Sequence, residues 1–126
     1  MIENAIGRTV VDVAVRIHRE LGPGLLERVY ELVMADELIR EGLVVERQKP
    51  IAIVYRGREF AEGFRADLLI ESKVIVEVKC VETLHNAHRK QLLTYLKLTG
   101  LKLGYLLNFG APLMKQGIVR TVNELA

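Results

Sequence analysis

From Ile2 to Leu21 the apolar positions recur at steps of three and four: Ile2, Ile6, Val10, Val13, Ile17 and Leu21. Such a stripe predicts one amphipathic helix. Gly22-Pro23-Gly24 stops it, because Gly accepts positive φ past a helix end and Pro cannot extend the hydrogen-bond ladder. A second helix is predicted over 25–41, with Leu25, Val29, Leu32, Val33 and Ile39 as apolar positions and Gly42 at its C-terminal cap. The period then changes. Segments 43–48 and 51–55 are rich in β-formers, and Pro50 suits a position between strands or on an edge. Arg56-Gly57 is a turn, and 64–70 and 74–79 are two strands joined by Glu71-Ser72-Lys73. A helix over 84–98 closes at Gly100, a strand over 102–109 ends at Gly110-Ala111-Pro112, and 118–122 suggests a final edge strand. Strand, helix and strand in so short a span favour a right-handed parallel crossover. The order α-α-β-β-β-β-α-β describes an α/β fold, a mixed β-sheet flanked by helices.

Composition narrows the function classes. The chain has 126 residues, 50% of them hydrophobic and 27% charged, enough for a packed core in a single domain over 1–126. Its longest apolar runs are about five residues against the ~20 of a membrane span, so no membrane partner is expected. Glu3 and Arg8 break any secretory pattern, and the lone Cys80 cannot form an internal disulfide; a cytoplasmic setting is expected. With no Trp, four Tyr and three Phe, a broad aromatic platform for single strands is not expected. The net charge of +2 hides a gradient: residues 1–42 carry five bases and eight acids, residues 83–126 six bases and one acid. A basic end can serve a polyanion, although a solvated face is the commoner cause.

The 64–79 hairpin carries the candidate chemistry. Glu77 and Lys79 are two apart and leave the same face of their strand, with Val74, Val76 and Val78 on the other. A three-residue loop over 71–73 pairs Ile70 with Val74 and sets Asp67 opposite Glu77 on that face; a two-residue loop would separate the carboxylates. Two adjacent carboxylates repel, and one is driven toward protonation unless a cation neutralises them. Lys79 supplies part of that charge. All-oxygen ligands without Cys or His suggest Mg²⁺ or Mn²⁺, which can polarise a phosphoryl oxygen and acidify bound water. Taken alone, the triplet reads more simply as a cross-strand salt bridge at a sheet edge.

The pattern Asp67, nine intervening residues, then Glu77-Val78-Lys79 resembles the bipartite signature of the PD-(D/E)XK nuclease superfamily. Gly24-Leu25-Leu26-Glu27-Arg28-Val29-Tyr30 matches the GxxExxY motif that names a family of small bacterial and archaeal proteins within it. Arg65-Ala66-Asp67-Leu68-Leu69, Gln91-Leu92-Leu93-Thr94-Tyr95-Leu96 and Leu107-Asn108-Phe109-Gly110 are similar to that family's blocks, in the same order, over about 5–122. The resemblance implies a restriction-endonuclease-like core and a metal-dependent nuclease acting on nucleic acid, DNA foremost. It implies Asp67, Glu77 and the Val78 carbonyl as metal ligands, Lys79 as the catalytic lysine, and Glu27 as an acid completing the metal site from a preceding helix. Gln91 resembles a residue that assists at the active site; Tyr95 shares its helical face. Tyr30, Arg89, Lys90 and Tyr95 are the expected substrate contacts. Ala66 departs from the superfamily's nominal Pro, a position often replaced.

Each residue also has a plainer reading. Glu27 suits a first helical turn through the helix dipole. Tyr30 and Tyr95 can be core residues, Gln91 an exposed one, and Asn108 and Gly110 ordinary strand-ending residues. His85 and His88, spaced i, i+3, read as a solvated helix start, His18 as structural, and Cys80 as a packing residue facing away from the site. Two further expectations stand beside the nuclease: a catalytically inactive domain of this fold that binds nucleic acid or protein, and a homodimer presenting two sites to two strands.

Overall fold

The computed structural model describes residues 2–125. Helix α1 (Ile2–Leu21) buries the middle of its stripe, Ile6, Val10, Val13 and Ile17, and leaves the end positions Ile2 and Leu21 exposed. It lies close on the sheet at Gly7, where a Cβ would collide with the Tyr105 hydroxyl. Helix α2 (Glu27–Arg40) packs beside α1, and Arg16 of α1 ties to it through Glu37 at 3.0 Å and Glu41 at 3.4 Å. None of the described helices is long and apolar enough to cross a membrane.

Five strands follow: β1 (Val45–Tyr55), β2 (Arg58–Ile70), β3 (Val74–Lys79), β4 (Leu103–Asn108) and β5 (Ile118–Val122). They form one mixed sheet in that order, with β3 and β4 parallel and the other neighbours antiparallel. The parallel pair is joined by α3 (Asn86–Thr99), which ends at Gly100 with φ 76°. Helices α1 and α2 cover one face through Val74, Val76 and Val78; α3 covers the other through Phe64, Leu69, Ile75 and Leu106. Covered on both sides, β3 is a near-continuous buried run, as parallel strands are.

The α/β class and the order of elements are those expected, with three differences of detail, the first being that the strand expected over 64–70 begins at Arg58. Segments 43–48 and 51–55 are one bent strand, because β1 is the sheet's edge and Pro50 costs an edge strand no ladder bond on its free side. The bend shows in Gln48, whose φ is 49°. A single helical turn, α4 (Met114–Gly117), stands between β4 and β5 with too short a pattern to read in advance. The β2–β3 loop is the three-residue one: Ile70 pairs with Val74, Leu69 with Ile75 and Leu68 with Val76. At the other end of β2, Arg56 and Gly57 take φ 52° and 74°, the double left-handed turn that suits a tight hairpin.

Candidate active site

Beyond Leu68 and Val76 the β2–β3 ladder gives way to side chains. The Val78 N–H donates to Asp67 Oδ2 at 2.8 Å, and the Asp67 N–H donates to Glu77 Oε2 at 2.9 Å. Each strand thus satisfies the other's open amide with a carboxylate, and the two acids sit together where β2 and β3 part.

That position is costly for charge. Glu77 is 8% exposed and its carboxyl is pushed up to about 8, first by burial and then by the Asp67 charge; the Asp67 amide and the Lys79 charge offset this only in part. Asp67 is also raised, chiefly by burial, against the pull of the Val78 amide. Lys79 stands two residues from Glu77 and opposite Asn108 of β4. Among the described residues it lies within salt-bridge distance of no carboxylate. The cross-strand salt bridge that would make the triplet merely structural is therefore not formed.

Helix α2 closes the site from the other side. Glu31 is buried; its carboxylate accepts from Gln48 Nε2 at 2.6 Å and from Arg47 Nη2 at 3.1 Å. Gln48 Nε2 also reaches Asp67 Oδ1 at 3.2 Å, so one amide bridges two acids. The left-handed backbone of Gln48 aims it there, an unusual conformation for a residue with a Cβ. Glu27 is exposed at the first turn of α2 and lines, with Arg28, Glu31, Arg47, Gln48 and Asp67, a cleft of about 440 Å³. The structure thus brings Glu27 to the rim of the cleft that Asp67 shares, and sets Glu31 inside it. Among the described residues, no group of three or more His, Cys, Asp or Glu is gathered closely enough to hold a metal ion.

The remaining expected residues divide. Tyr95 is half-buried on α3, stacked on Phe64 with ring centroids 3.7 Å apart. Its phenol is held above its usual range by burial and by the Glu77 charge, with the Gln91 amide opposing, so both α3 residues belong to the site's surroundings. Gln91 itself is exposed. Arg89 lines a separate cleft of about 250 Å³ with Asn108 and Glu82, while Lys90 is exposed elsewhere on α3. The Val78 side chain is buried in the α1/α2 core.

Tyr30 belongs to the core. It is fully buried, its ring is stacked on Phe109 at 4.5 Å, and its hydroxyl donates to the Gly22 carbonyl and accepts from the Leu25 N–H. A phenol so committed pins the turn between α1 and α2. Asn108 proves to be more than a strand-ending residue: its side chain bonds the Val81 N–H at 3.0 Å, the Val81 carbonyl at 2.9 Å and the Gly110 N–H at 3.0 Å. It staples the segment leaving Lys79 to the end of β4, and a Cβ on Gly110 would strike the Val81 carbonyl. His18 bonds the Ala111 carbonyl at 2.8 Å, His88 Nδ1 accepts from the His85 N–H, and the Cys80 thiol faces the Pro23 and Leu25 carbonyls. None of these joins the carboxylates.

Glu31 and Gln48 were not legible as site residues. For Glu31 a signal existed: it follows Glu27 by four, hence on the same helical face, and sits on the buried side of α2. Gln48 had none, since only the bend in β1 turns it inward.

Divalent cations suit this donor set. It is all oxygen, Glu77 is buried and Asp67 half-buried with neither in an ion pair among the described residues, and Glu77 keeps one oxygen that the clasp leaves unused. No curated protein and no solved structure matches the chain significantly. The PD-(D/E)XK nuclease superfamily matches over residues 4–121, from α1 through most of β5. With nearly its whole length matched, and with the mixed sheet and flanking helices that this core has, the chain belongs to the PD-(D/E)XK nuclease superfamily.

Proposed function

We propose that this chain, as one domain of the GxxExxY group working in the cytoplasm, is a divalent-metal-dependent nuclease that hydrolyses phosphodiester bonds, DNA foremost. One observation carries the reading: a half-buried Asp67 and a buried Glu77 stand side by side without an ion pair among the described residues, with an unpaired Lys79 on the same face. Members of this superfamily generally use divalent metal ions. Asp67, Glu77 and the Val78 carbonyl would hold Mg²⁺ or Mn²⁺, with Glu31 or Glu27 contributing from α2. Bound there, the ion supplies a Lewis acid for the phosphoryl group and a more acidic water.

The protein's own groups do the rest. Lys79 presents an ammonium with no internal partner, able to orient the attacking water or to stabilise negative charge developing on the phosphoryl oxygens. Gln48 holds Asp67 Oδ1 in place from Glu31, and Asn108 fixes the chain that leaves Lys79. Tyr95 and Gln91 form the α3 wall. Arg89 and Lys90 extend a basic surface from that wall on which flanking phosphates can rest. The test is cleavage of single-stranded, duplex, flapped and branched DNA with and without Mg²⁺ by wild type and Lys79→Ala. Equal activity of the two proteins would sink the mechanism.

One observation favours a second reading. Both carboxylates are engaged by backbone amides, and no three-acid group forms. A catalytically inactive binding module of this fold would look the same, and calorimetry showing no Mn²⁺ or Mg²⁺ uptake would select it.

A further inference from the structure

β2 has 13 residues and β3 only 6, and their pairing covers Leu68 to Ile70. Among the described residues, 58–66 of β2 therefore have β1 as their only strand neighbour. The root of this two-stranded arm is anchored, with Ile51, Ile53 and Phe64 packed on the α3 side. Past the root, every residue from Val54 to Gly63 is exposed. Two aromatic side chains stand out there, Tyr55 at 54% and Phe60 at 44% exposed. The Arg56 guanidinium lies 5.5 Å over the Tyr55 ring, and that of Arg58 lies 5.8 Å over Phe60. Register places Tyr55 opposite Arg58 and Ile53 opposite Phe60, so Tyr55, Arg58 and Phe60 share one face. Glu59 lies across from Val54, on the opposite face, and Glu62 falls in the irregular stretch near the root. Among the described residues, Arg56, Arg58 and Arg65 form no ion pair.

An arginine laid over an aromatic ring keeps its fork of N–H donors free in the guanidinium's own plane, where phosphate oxygens can take two at once. The ring beside it offers a surface for an unpaired base. A second copy of the chain fits this face less well, since two such arms would bring like-charged guanidiniums together. We propose that the β1–β2 arm is a separate nucleic-acid grip, holding substrate at a distance from Asp67, Glu77 and Lys79. What it grips rests on the nuclease reading; where it grips rests on the arm. Arg58 lies nine positions before Asp67. At ~3.3 Å per residue the arm reaches at most ~30 Å. That is about nine nucleotide steps of ~3.4 Å. Affinity should therefore grow with substrate length up to that reach.

Fluorescence anisotropy in metal-free buffer tests this with single strands of about 4 or about 30 nucleotides and a duplex of about 30 base pairs, in the Lys79→Ala background. The added double substitution Arg56→Ala/Arg58→Ala should weaken binding of the long DNA roughly tenfold, and of the short DNA less than about twofold. It should also flatten the slope of log affinity against log salt by about 1.4 on single strands and about 1.8 on duplex. Tyr55→Ala/Phe60→Ala should weaken long single strands more than long duplexes, with an unchanged thermal melt for both variants. Unchanged affinity for the long DNA, an equal loss on the short one, or no binding of either length by the parent would overturn the proposal. So would a parent dimer that the arm substitutions convert to monomer without altering DNA binding. Failure of the nuclease reading shows differently: wild type that cleaves nothing, yet binds long DNA through the arm, loses its assigned chemistry and keeps its grip.

Discussion

The two ends of β2 are opposite solutions for a single strand. Its inner end, from Ala66 to Ile70, lies between helices and carries an acid that the surroundings do not neutralise. Its outer end, from Arg58 to Gly63, has solvent on both sides and carries cations resting on aromatic rings. Burial makes charge expensive, so the inner end keeps its carboxylate beside Glu77 at a cost that a proton or a bound cation would relieve. Exposure makes charge cheap, so the outer end can carry arginines without partners. The inner end is thus suited to chemistry on a few atoms, and the outer end to contact over a long substrate.

The largest test of this contrast is catalytic. Lys79→Ala and Asp67→Asn should each lower the cleavage rate roughly a thousandfold while leaving the melt intact, as loss of a charge-stabilising group in an active site does. Chelation of divalent ions should abolish cleavage; activity surviving both changes would place the chemistry elsewhere.

Next is the cost of the buried acid. Because Glu77 is raised from about 4.5 to about 8, the folded state holds a proton that the unfolded chain has already lost between those values. Stability of the metal-free protein should therefore fall as pH rises from about 5 to about 8. Glu77→Gln should remove most of that slope and stabilise the protein at pH 8 by on the order of 3 kcal/mol, while abolishing cleavage. Urea unfolding at both pH values reads the slope, and a flat profile in the wild type would show that Glu77 is not held protonated.

Smaller effects separate the acids of α2. Glu31→Gln should cost 10- to 100-fold in cleavage, the range for a group that orients metal ligands, and Glu27→Gln clearly less. The reverse order would return the exposed rim acid to the metal. Smallest is Tyr30→Phe, which should destabilise the fold by about 1–2 kcal/mol through two unmade hydrogen bonds and leave DNA affinity unchanged. A loss of affinity without a loss of stability would restore Tyr30 as a substrate contact.

The face shared by Asp67, Glu77 and Lys79 was legible because strand periodicity is strict and the three-residue loop fixes it. The α1 stripe was legible for the same reason with a different period. What escaped was whatever depends on one strand bending against another. Gln48 enters the site through a left-handed backbone that no composition rule demands, and the fusion of 43–48 with 51–55 follows from β1's place at the sheet edge. The depth of Tyr30 was not legible, because its motif position says nothing about burial; the stacking partner Phe109 lies just past β4, 79 positions away.

The loop over 71–73 has a consequence for how such a protein can change over generations. Its sequence is nearly free, since Ser72 and Lys73 are exposed and the turn asks mainly for residues that tolerate positive φ at Glu71 and Ser72. Its length is not free. A register shift of one sends Asp67 to the face opposite Glu77, whereas a shift of two returns it to the same face. Drift here should spare odd and even lengths unequally, so the count of residues in a solvent-exposed turn behaves as a parity check on the buried site.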